Sequence, residues 1–342
     1  MIIAGRTIDH TQPPYVIAEV SCNHNGDINR ALDIAVAAHN AGADAVKFQA
    51  YTPDTITIDC DQPDFIMKDG PWKGRKLYDL YKEAQTPLEW FPRIAEFGKS
   101  TGITWFASVF DKTSVDLLEK LDCPAYKIAS CEIVDIPLIR YVATKAKPMI
   151  VSTGMAADEE IKDAFDTIMA QGRSDLAILH CVSAYPCPDE QANLARFNYL
   201  KRMSTRCQWG ISDHTDGIEF PMHAATLGAT IVEKHIRLDD EPTLDGDFSL
   251  TPDAFSELVN VVRYGWQMIQ PAEASAEEPS RQARRSLYAV ANIKAGEPFT
   301  EENVRSIRPG YGLPPKMLDD ILGRKATCDI FRGTALNDSM IG

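Results

Sequence analysis

Residues 45–50 read Ala-Val-Lys-Phe-Gln-Ala, a short apolar run that carries a lysine and a glutamine. Seven similar runs alternate with longer helical patterns, at residues 15–21, 104–110, 125–130, 148–154, 176–183, 208–214 and 230–236. Runs that are nearly continuous in apolar and β-branched residues are typical of parallel strands buried on both faces. Eight strand–helix units over about 250 residues predict an α/β fold of the (β/α)₈ TIM-barrel type. An open doubly wound sheet is disfavoured, because no Gly-x-Gly-x-x-Gly motif follows the first run.

The polar residues of these runs gather at their C-terminal ends. Lys47 and Gln49 lie two positions apart and so point to the same side of their strand, as do Glu233 and His235 in the last one, whereas Lys234 faces the helices. The C-terminal face of a TIM barrel is its catalytic face, so one site is expected there. The other strands end on polar residues as well, namely Glu19, Ser108, Lys127, Ser130, Ser152, Thr153, His180, Ser183, Ser212 and His214.

These residue types indicate the chemistry of the site. Two lysines and several hydroxyls suit an anion with a phosphate and a carboxylate, at about 1.5–3 kcal/mol for each charge-assisted hydrogen bond. A lone lysine is more often a salt-bridged structural residue, but Lys47 and Lys127 at matching strand ends favour binding. His214 and His235 end neighbouring strands and suit a divalent metal such as Mn²⁺. No further cysteine or histidine completes a zinc set, so we predict an open octahedral site completed by substrate and water.

Composition excludes several classes of protein. A net charge of −14 argues against a nucleic-acid partner, while a local lysine cluster can still attract a small anion into a pocket. No apolar run approaches the ~18 residues of a membrane span, and no signal-peptide pattern is present, so we expect a cytoplasmic protein without a membrane partner. The eight cysteines form no C-x-x-C pair, which predicts reduced thiols.

The chain also divides into parts. Residues 51–86 form a long connection after the second strand, and long loops on a catalytic face are usually functional. Residues 271–282 are polar and predict a linker between a catalytic barrel at 1–270 and a compact domain at 283–342. Turn signals and short strands predict that this last domain is small and β-rich.

Several motifs resemble those of the sialic acid synthases. They are Ile17-Ala18-Glu19, Asn23-His24-Asn25-Gly26, the run from Gly42 to Gln49, Tyr126-Lys127-Ile128-Ala129-Ser130, Ser152-Thr153-Gly154-Met155, Ser212-Asp213-His214-Thr215 and Glu233-Lys234-His235. The tail, from Arg285-Ser286-Leu287-Tyr288 to Arg308-Pro309-Gly310-Tyr311-Gly312, is similar to the antifreeze-like (SAF) domain that ends these enzymes. The resemblance covers nearly the whole chain, with its motifs in a fixed order.

The resemblance implies an enzyme that condenses phosphoenolpyruvate with an acetamido sugar. A divalent metal, Mn²⁺ before Mg²⁺ or Co²⁺, would be held by His214 and His235. It implies a domain-swapped homodimer, in which Arg308 contacts an N-acetyl group of the sugar in the partner's site. The residues that would bind phosphoenolpyruvate are Lys47, Ser108, Lys127, Ser130, Ser152, Ser183 and Ser212. Those that would meet the sugar or the water are Glu19, Gln49, Glu132, Tyr185 and Asp245, and the implied catalytic set is Glu19, Lys47, Gln49, Lys127 and Glu132.

The long connection carries Tyr51-Thr52-Pro53-Asp54, Asp64-Phe65-Ile66-Met67, Trp72, the run from Arg75 to Ala84, Thr86-Pro87 and Glu89-Trp90. In these residues it resembles, within the family, the pseudaminic acid synthases, whose substrate is a 6-deoxy sugar with two acetamido groups. Ser183 departs from the asparagine of N-acetylneuraminate enzymes, and Val109 departs from the usual proline. A legionaminic acid or N-acetylneuraminate synthase is the alternative. Two more distant alternatives are a Schiff-base aldolase with Lys127 as nucleophile and a non-catalytic tail that binds ice or protein.

Overall fold

The computed structural model describes residues 1–70, 72–271 and 279–342. The chain separates into two compact units, Met1–Gln270 and Pro271–Gly342. Most of the predicted linker at 271–282 lies outside the described residues. The first unit begins with an antiparallel hairpin of β1 (Ile2–Ile3) and β2 (Arg6–Thr7).

Eight parallel strands then form a closed barrel in chain order, the last pairing with the first. The predicted TIM barrel is therefore confirmed. Each strand is almost wholly buried, since the interior and the surrounding helices cover both of its faces, and this explains the nearly continuous apolar runs. The strands are β3 (Tyr15–Glu19), β4 (Ala45–Ala50), β5 (Trp105–Val109), β6 (Tyr126–Ile128), β7 (Met149–Ser152), β8 (Leu176–Cys181), β9 (Gln208–Asp213) and β10 (Ile231–His235).

Helices follow the strands, and several begin on side-chain caps. Asp111 accepts the backbone N–H groups of Thr113 and Ser114, so that helix α5 starts immediately after β5. No described helix is long and apolar enough to cross a membrane. The helices of this unit are α1 (Ile28–Asn40), α2 (Pro53–Ile56), α3 (Leu77–Ala84), α4 (Phe91–Thr101), α5 (Lys112–Lys120), α6 (Ile136–Ala143), α7 (Asp158–Ala170), α8 (Leu194–Leu200), α9 (Glu219–Thr226) and α10 (Pro252–Met268).

The strand register brings the polar ends to one rim. Glu19 is opposite Lys47 on one side and opposite His235 on the other. Ser108 is likewise opposite both Gln49 and Lys127. Because parallel strands end at the same edge, the C-terminal polar residues meet at one mouth of the barrel.

The C-terminal unit has its own small core, formed by apolar side chains that include Leu287, Phe299, Val304 and Leu336. Its regular elements are the antiparallel strands β11 (Ser286–Ala289) and β12 (Val304–Ile307) and the short helix α11 (Leu318–Ile321). Arg308 directly follows β12 and its side chain is exposed.

Candidate active site

A cavity opens at the C-terminal ends of the strands, and all eight strands or the loops after them contribute to its lining. The structure thus brings together residues that are up to 226 positions apart in the chain, Glu19 and Asp245 being the extremes of the predicted set. The predicted residues that line it are Glu19, Lys47, Gln49, Ser108, Lys127, Ser130, Glu132, Ser152, Tyr185, Ser212, His214, His235 and Asp245.

The floor of the cavity is a charge cluster around Glu233. Both Glu233 oxygens accept hydrogen bonds from Lys127 Nζ at 3.0 Å, and Oε1 also accepts from Lys47 Nζ at 2.8 Å. Ser212 Oγ donates to the same carboxylate at 3.0 Å. Lys47 makes a second ion pair with Glu19 Oε2 at 3.1 Å. Two carboxylates therefore balance two lysines in a buried cluster, which we call the lysine clamp (Glu19, Lys47, Lys127 and Glu233).

Electrostatics inside the lysine clamp follow from burial and pairing. Burial would raise the pKa of Glu233, but the ammonium groups of Lys127 and Lys47 lower that pKa below its ordinary value. Burial lowers the pKa of Lys127 to about 8 against the opposing effect of Glu233. Burial also acts on Lys47, but Glu19 and Glu233 outweigh it and raise its pKa. Both lysines are therefore cationic at neutral pH.

A hydrogen-bonded chain runs from the lysine clamp along one side of the cavity. Gln49 Nε2 donates to Glu19 Oε1 at 2.8 Å and to Ser21 Oγ at 2.9 Å, and Ser21 Oγ donates to Asp245 Oδ2 at 2.5 Å. Ser21 has a φ of +47°, in the left-handed region that costs energy for any residue with a side chain. The chain holds Asp245 beside His235, whose Nδ1 is 3.8 Å from Asp245 Oδ2.

The two predicted metal ligands face each other, with ring centroids 5.4 Å apart. His214 Nδ1 is 2.9 Å from the carbonyl of Val182, which leaves its Nε2 available. His235 Nδ1 is buried and has no hydrogen-bond partner. Residues 1–70, 72–271 and 279–342 contain no cluster of three or more histidine, cysteine or carboxylate ligands arranged around an ion. The protein thus offers two imidazoles, and this donor set fits a metal whose other ligands come from substrate and water.

Several buried oxygens in and beside the cavity are free to bind a ligand. Ser152 Oγ, Ser183 Oγ and Glu132 Oε2 are buried without a hydrogen-bond partner. Ser130 Oγ accepts a bond from the backbone N–H of Gly154 at 3.1 Å. Burial raises the pKa of Glu132 to about 7, so this carboxyl can exchange a proton near neutral pH. Unpaired buried polar atoms are costly, and a polar ligand would satisfy them.

Ser183 is the one barrel residue with a predicted binding role that does not line this cavity, and the polar strand ends Thr153 and His180 lie outside it as well. Ser183 lines a neighbouring one with Thr153 and Arg196. A side chain at Gly154 would place its Cβ 2.2 Å from Ser183 Oγ, so the glycine is needed for the close approach of the two loops. Gly154 therefore lies between Ser183 and Ser130, which lines the main cavity. A role for Ser183 in binding phosphoenolpyruvate stays a prediction.

Sequence reasoning missed several residues of the site. Glu233 is a polar strand end, and its spacing of two from His235 places it inside the barrel, but the sequence analysis assigns it no role. Ser21 was also missed, although it is the last residue of the predicted strand run 15–21 and therefore a polar strand end. Trp72 and Phe248 also lay outside the predicted set. They form an aromatic wall with the predicted Tyr185, whose ring centroid is 6.0 Å from that of Trp72 and 5.2 Å from that of Phe248.

A second buried ion pair joins β9 and β10, the strands that carry the predicted metal ligands, but it lies outside the cavity. Lys234 Nζ donates to Asp213 Oδ2 and to the Thr215 carbonyl, both at 2.5 Å. The exposed fractions of the Lys234 and Asp213 side chains are 0% and 1%. These two residues are cross-strand partners between β9 and β10. The pair fixes the two strands immediately beside His214 and His235.

The barrel and its lysine clamp define an α/β-barrel enzyme that handles an anionic small molecule. Residues 34–273 match the NeuB family and residues 284–342 match the SAF domain. The chain belongs to the NeuB family, and the resemblance drawn from its motifs is confirmed. The chain is a phosphoenolpyruvate-dependent sugar synthase, that is, a transferase that forms a carbon–carbon bond.

Three known proteins show the extent of the similarity. The chain is 43% identical to pseudaminic acid synthase of Campylobacter jejuni over 329 residues, covering 95% of this chain and 96% of that protein. It is 32% identical to N,N'-diacetyllegionaminic acid synthase of Legionella pneumophila, covering 94% and 93%. The crystal structure of N-acetylneuraminic acid synthetase from Leptospira borgpetersenii, in complex with citrate, superposes with a TM-score of 0.73 at 30% identity, covering 82% of this chain and 94% of that one.

Proposed function

We propose that this protein is a pseudaminic acid synthase. It condenses phosphoenolpyruvate with 2,4-diacetamido-2,4,6-trideoxy-L-altrose and water, and releases pseudaminic acid and phosphate. The similarity to the Campylobacter enzyme supports the sugar. The observation that carries the proposal is the buried lysine clamp, with unpaired hydroxyl oxygens beside it.

Phosphoenolpyruvate fits the floor of the cavity. Lys47 and Lys127 are cationic and buried, so they interact with a phosphate and a carboxylate far more strongly than exposed lysines would. Ser108, Ser130, Ser152 and Ser212 supply hydroxyls around them. On binding, the anionic substrate takes over part of the charge balance that Glu233 provides in its absence.

The bond changes follow from this placement. C3 of phosphoenolpyruvate attacks the aldehyde carbon of the open-chain sugar and forms a new carbon–carbon bond as cationic character develops at C2. The π bond of the aldehyde breaks, and its oxygen takes up a proton to become a hydroxyl. Water adds at C2 and loses a proton, and the C2–O bond to phosphate breaks. Glu132 is suited to accept the water proton, because burial brings its pKa to about 7. Glu19 and Gln49, which are hydrogen-bonded to each other, orient the sugar.

We infer that His214 and His235 hold a divalent metal, Mn²⁺ before Mg²⁺ or Co²⁺. The unpartnered Nδ1 of His235 supports this inference, as does the fixed orientation of His214. A bound metal would supply Lewis-acid polarisation of the aldehyde oxygen. The side chains of Asp245 and Ser21 would keep the His235 side of the site in place.

We infer as well that the protein acts as a two-fold dimer, in which Arg308 of each protomer contacts the sugar in the partner's cavity. The exposed position of Arg308 and the SAF match of its domain support this arrangement. An exchange of this kind is symmetric and would create two equivalent sites.

The Schiff-base alternative has less support. Nζ of Lys127 is held by both oxygens of Glu233, and with a pKa of about 8 it is mostly protonated at neutral pH. A protonated amine is not a nucleophile. That mechanism would also leave the paired imidazoles without a role.

The test is a direct assay of the purified protein with phosphoenolpyruvate and Mn²⁺. We expect phosphate release with the diacetamido-trideoxy-altrose, and a specificity constant at least tenfold lower with N-acetylmannosamine. Equal constants for the two sugars would contradict the pseudaminic assignment. No release with any acetamido sugar would contradict the synthase.

A further inference from the structure

The long connection after β4 crosses the mouth of the barrel. We call residues 51–70 and 72–86 the roof segment. It leaves the second barrel strand, whereas Tyr185 follows the sixth, and strands four apart in a closed barrel of eight lie on opposite sides. Trp72 of the roof segment nevertheless lies beside Tyr185, with ring centroids 6.0 Å apart. The roof segment therefore spans the opening and covers the cavity.

The underside of the roof segment is mainly apolar. Its side chains that line the cavity without any nitrogen or oxygen atom are Ile56, Met67, Leu80 and Ala84, while the aromatic rings of Tyr51, Trp72 and Tyr81 each add a single polar atom. The lysine clamp at the opposite end of the same cavity is charged. The cavity therefore changes from a charged floor to a mainly apolar roof.

Backbone hydrogen bonds hold Met67 in this position. Its N–H donates to the Arg75 carbonyl at 2.9 Å, and its carbonyl accepts from the Gly74 N–H at 2.8 Å. Ile66 and Lys76 form an antiparallel bridge next to it. Lys76 is in turn ion-paired with Asp61 at 2.8 Å. This local ladder fixes the backbone of Met67, so little backbone freedom is lost there when a ligand binds.

We propose that Ile56 and Met67 form a methyl subsite that selects the 6-deoxy end of the sugar, an inference that rests on the proposed function. The aldehyde carbon must reach phosphoenolpyruvate on the floor, and C6 is five carbon–carbon bonds further along the chain. An extended sugar whose C1 lies at the floor directs C6 towards the roof. A hydroxyl on C6 that lies against Ile56 and Met67 would be buried against two side chains that cannot accept or donate a conventional hydrogen bond.

The effect on specificity has a natural limit. An apolar pocket rejects an analogue that merely adds a hydroxyl by up to roughly a hundredfold. We therefore expect the wild-type protein to prefer the 6-deoxy sugar over its 6-hydroxy counterpart by about ten- to a hundredfold in kcat/KM. The two sugars differ at C6 alone, so the ratio isolates this subsite.

The experiment measures this ratio in Met67→Gln and Ile56→Asn. Both side chains are half-buried, so neither substitution empties the core. Each variant offers a hydrogen-bonding group to the C6 hydroxyl, and we expect the ratio to fall to within about threefold of unity. Matched controls are Met268→Gln and Ile58→Asn, at side chains that are 64% and 56% exposed and do not line the cavity. The controls should keep the wild-type ratio.

Two failures can be told apart. If the wild-type protein turns over the 6-deoxy sugar but both roof variants keep its preference, the methyl subsite is refuted and the proposed function stands. If the wild-type protein turns over neither sugar, the proposed function itself fails. Because the ratio is taken within one preparation, a partly unfolded variant still reports the preference of its folded fraction.

Discussion

Replacing Glu233 with glutamine should expose how the lysine clamp is balanced. The substitution keeps the shape of the side chain and removes its charge. Lys47 retains Glu19 at 3.1 Å, but both carboxylate bonds of Lys127 go to Glu233. The side chain of Lys127 is only 2% exposed, so the variant leaves one buried cation without its counter-charge.

The magnitude follows from this single uncompensated charge. Removing one partner of a buried ion pair costs about 3–5 kcal/mol. The folded variant can remove this uncompensated charge by releasing the Lys127 proton. Deprotonation costs 1.36 kcal/mol for each pH unit below the ordinary lysine pKa of ~10.4, which gives at most ~4.6 kcal/mol at pH 7. A depressed lysine pKa destabilises the folded state most at low pH. The largest possible loss of folding free energy therefore decreases as pH rises. The barrel unit, Met1–Gln270, has an unfolding entropy of about 0.57 kcal/mol/K, so at pH 7 we expect Tm to fall by roughly 5–9 °C.

Thermal denaturation with and without phosphoenolpyruvate checks this reasoning. The substrate's negative groups replace the missing carboxylate, so saturating phosphoenolpyruvate should raise the Tm of Glu233→Gln by more than that of wild type. Asp213→Asn is the matched control, since it strands Lys234 in an equally buried pair that does not line the cavity. A Tm within about 2 °C of wild type would refute the charge argument. Equal rescue of both variants would refute the location of the substrate.

Four further outcomes are expected. The raised pKa of Glu132, about 7, predicts that kcat/KM falls as pH drops through 7, because the proton-accepting carboxylate becomes protonated. Glu132→Gln should lose most activity together with this pH dependence, and an unchanged pH profile would contradict the role of Glu132. Chelation should abolish turnover, and added Mn²⁺ should restore it; full activity in the presence of chelator would argue against a metal. His214→Ala or His235→Ala should lower the metal affinity measured by calorimetry while the fold stays intact. With ¹⁸O in the bridging position of phosphoenolpyruvate, the label should leave with phosphate, and retention in the sugar would mean P–O cleavage. Mixing inactive Arg308→Ala and His235→Ala protomers should restore roughly a quarter of wild-type activity if Arg308 acts in the partner's site, and none after verified subunit exchange if it acts in its own.

The barrel and the rim of the site were open to sequence reasoning for a physical reason. A strand buried on both faces leaves an apolar run, and the active end of each run is where polar residues occur. Glu233 shows where this reasoning stopped. Its partner Lys127 is 106 positions away, on the strand directly opposite in the barrel. Which lysine a carboxylate neutralises depends on the closed barrel, and no local pattern contains that information.

The roof segment marks a second limit. Its length and aromatic content indicated a functional loop, but the contact of Trp72 with Tyr185 depends on the path of the chain across the mouth. Ser183 illustrates the same limit on a smaller scale. Its position after β8 predicted a place in the main cavity, whereas the loop that carries it turns towards a neighbouring one. Loop paths are set by tertiary packing rather than by strand periodicity.

Lys234 shows that the period of the strand, rather than the type of residue, predicts which side chains point into the barrel. It stands between Glu233 and His235, and its charge alone would qualify it for an anion site. The alternation of a strand instead turns it away from the barrel interior. In the structure it is absent from the cavity lining and is fully buried against Asp213. The neighbouring inward positions, Glu233 and His235, both line the cavity. A one-residue slip in the register of β10 would exchange its inward and outward side chains. The Lys234 ammonium would then enter the lysine clamp, and the Glu233 carboxylate and the His235 imidazole would leave the site.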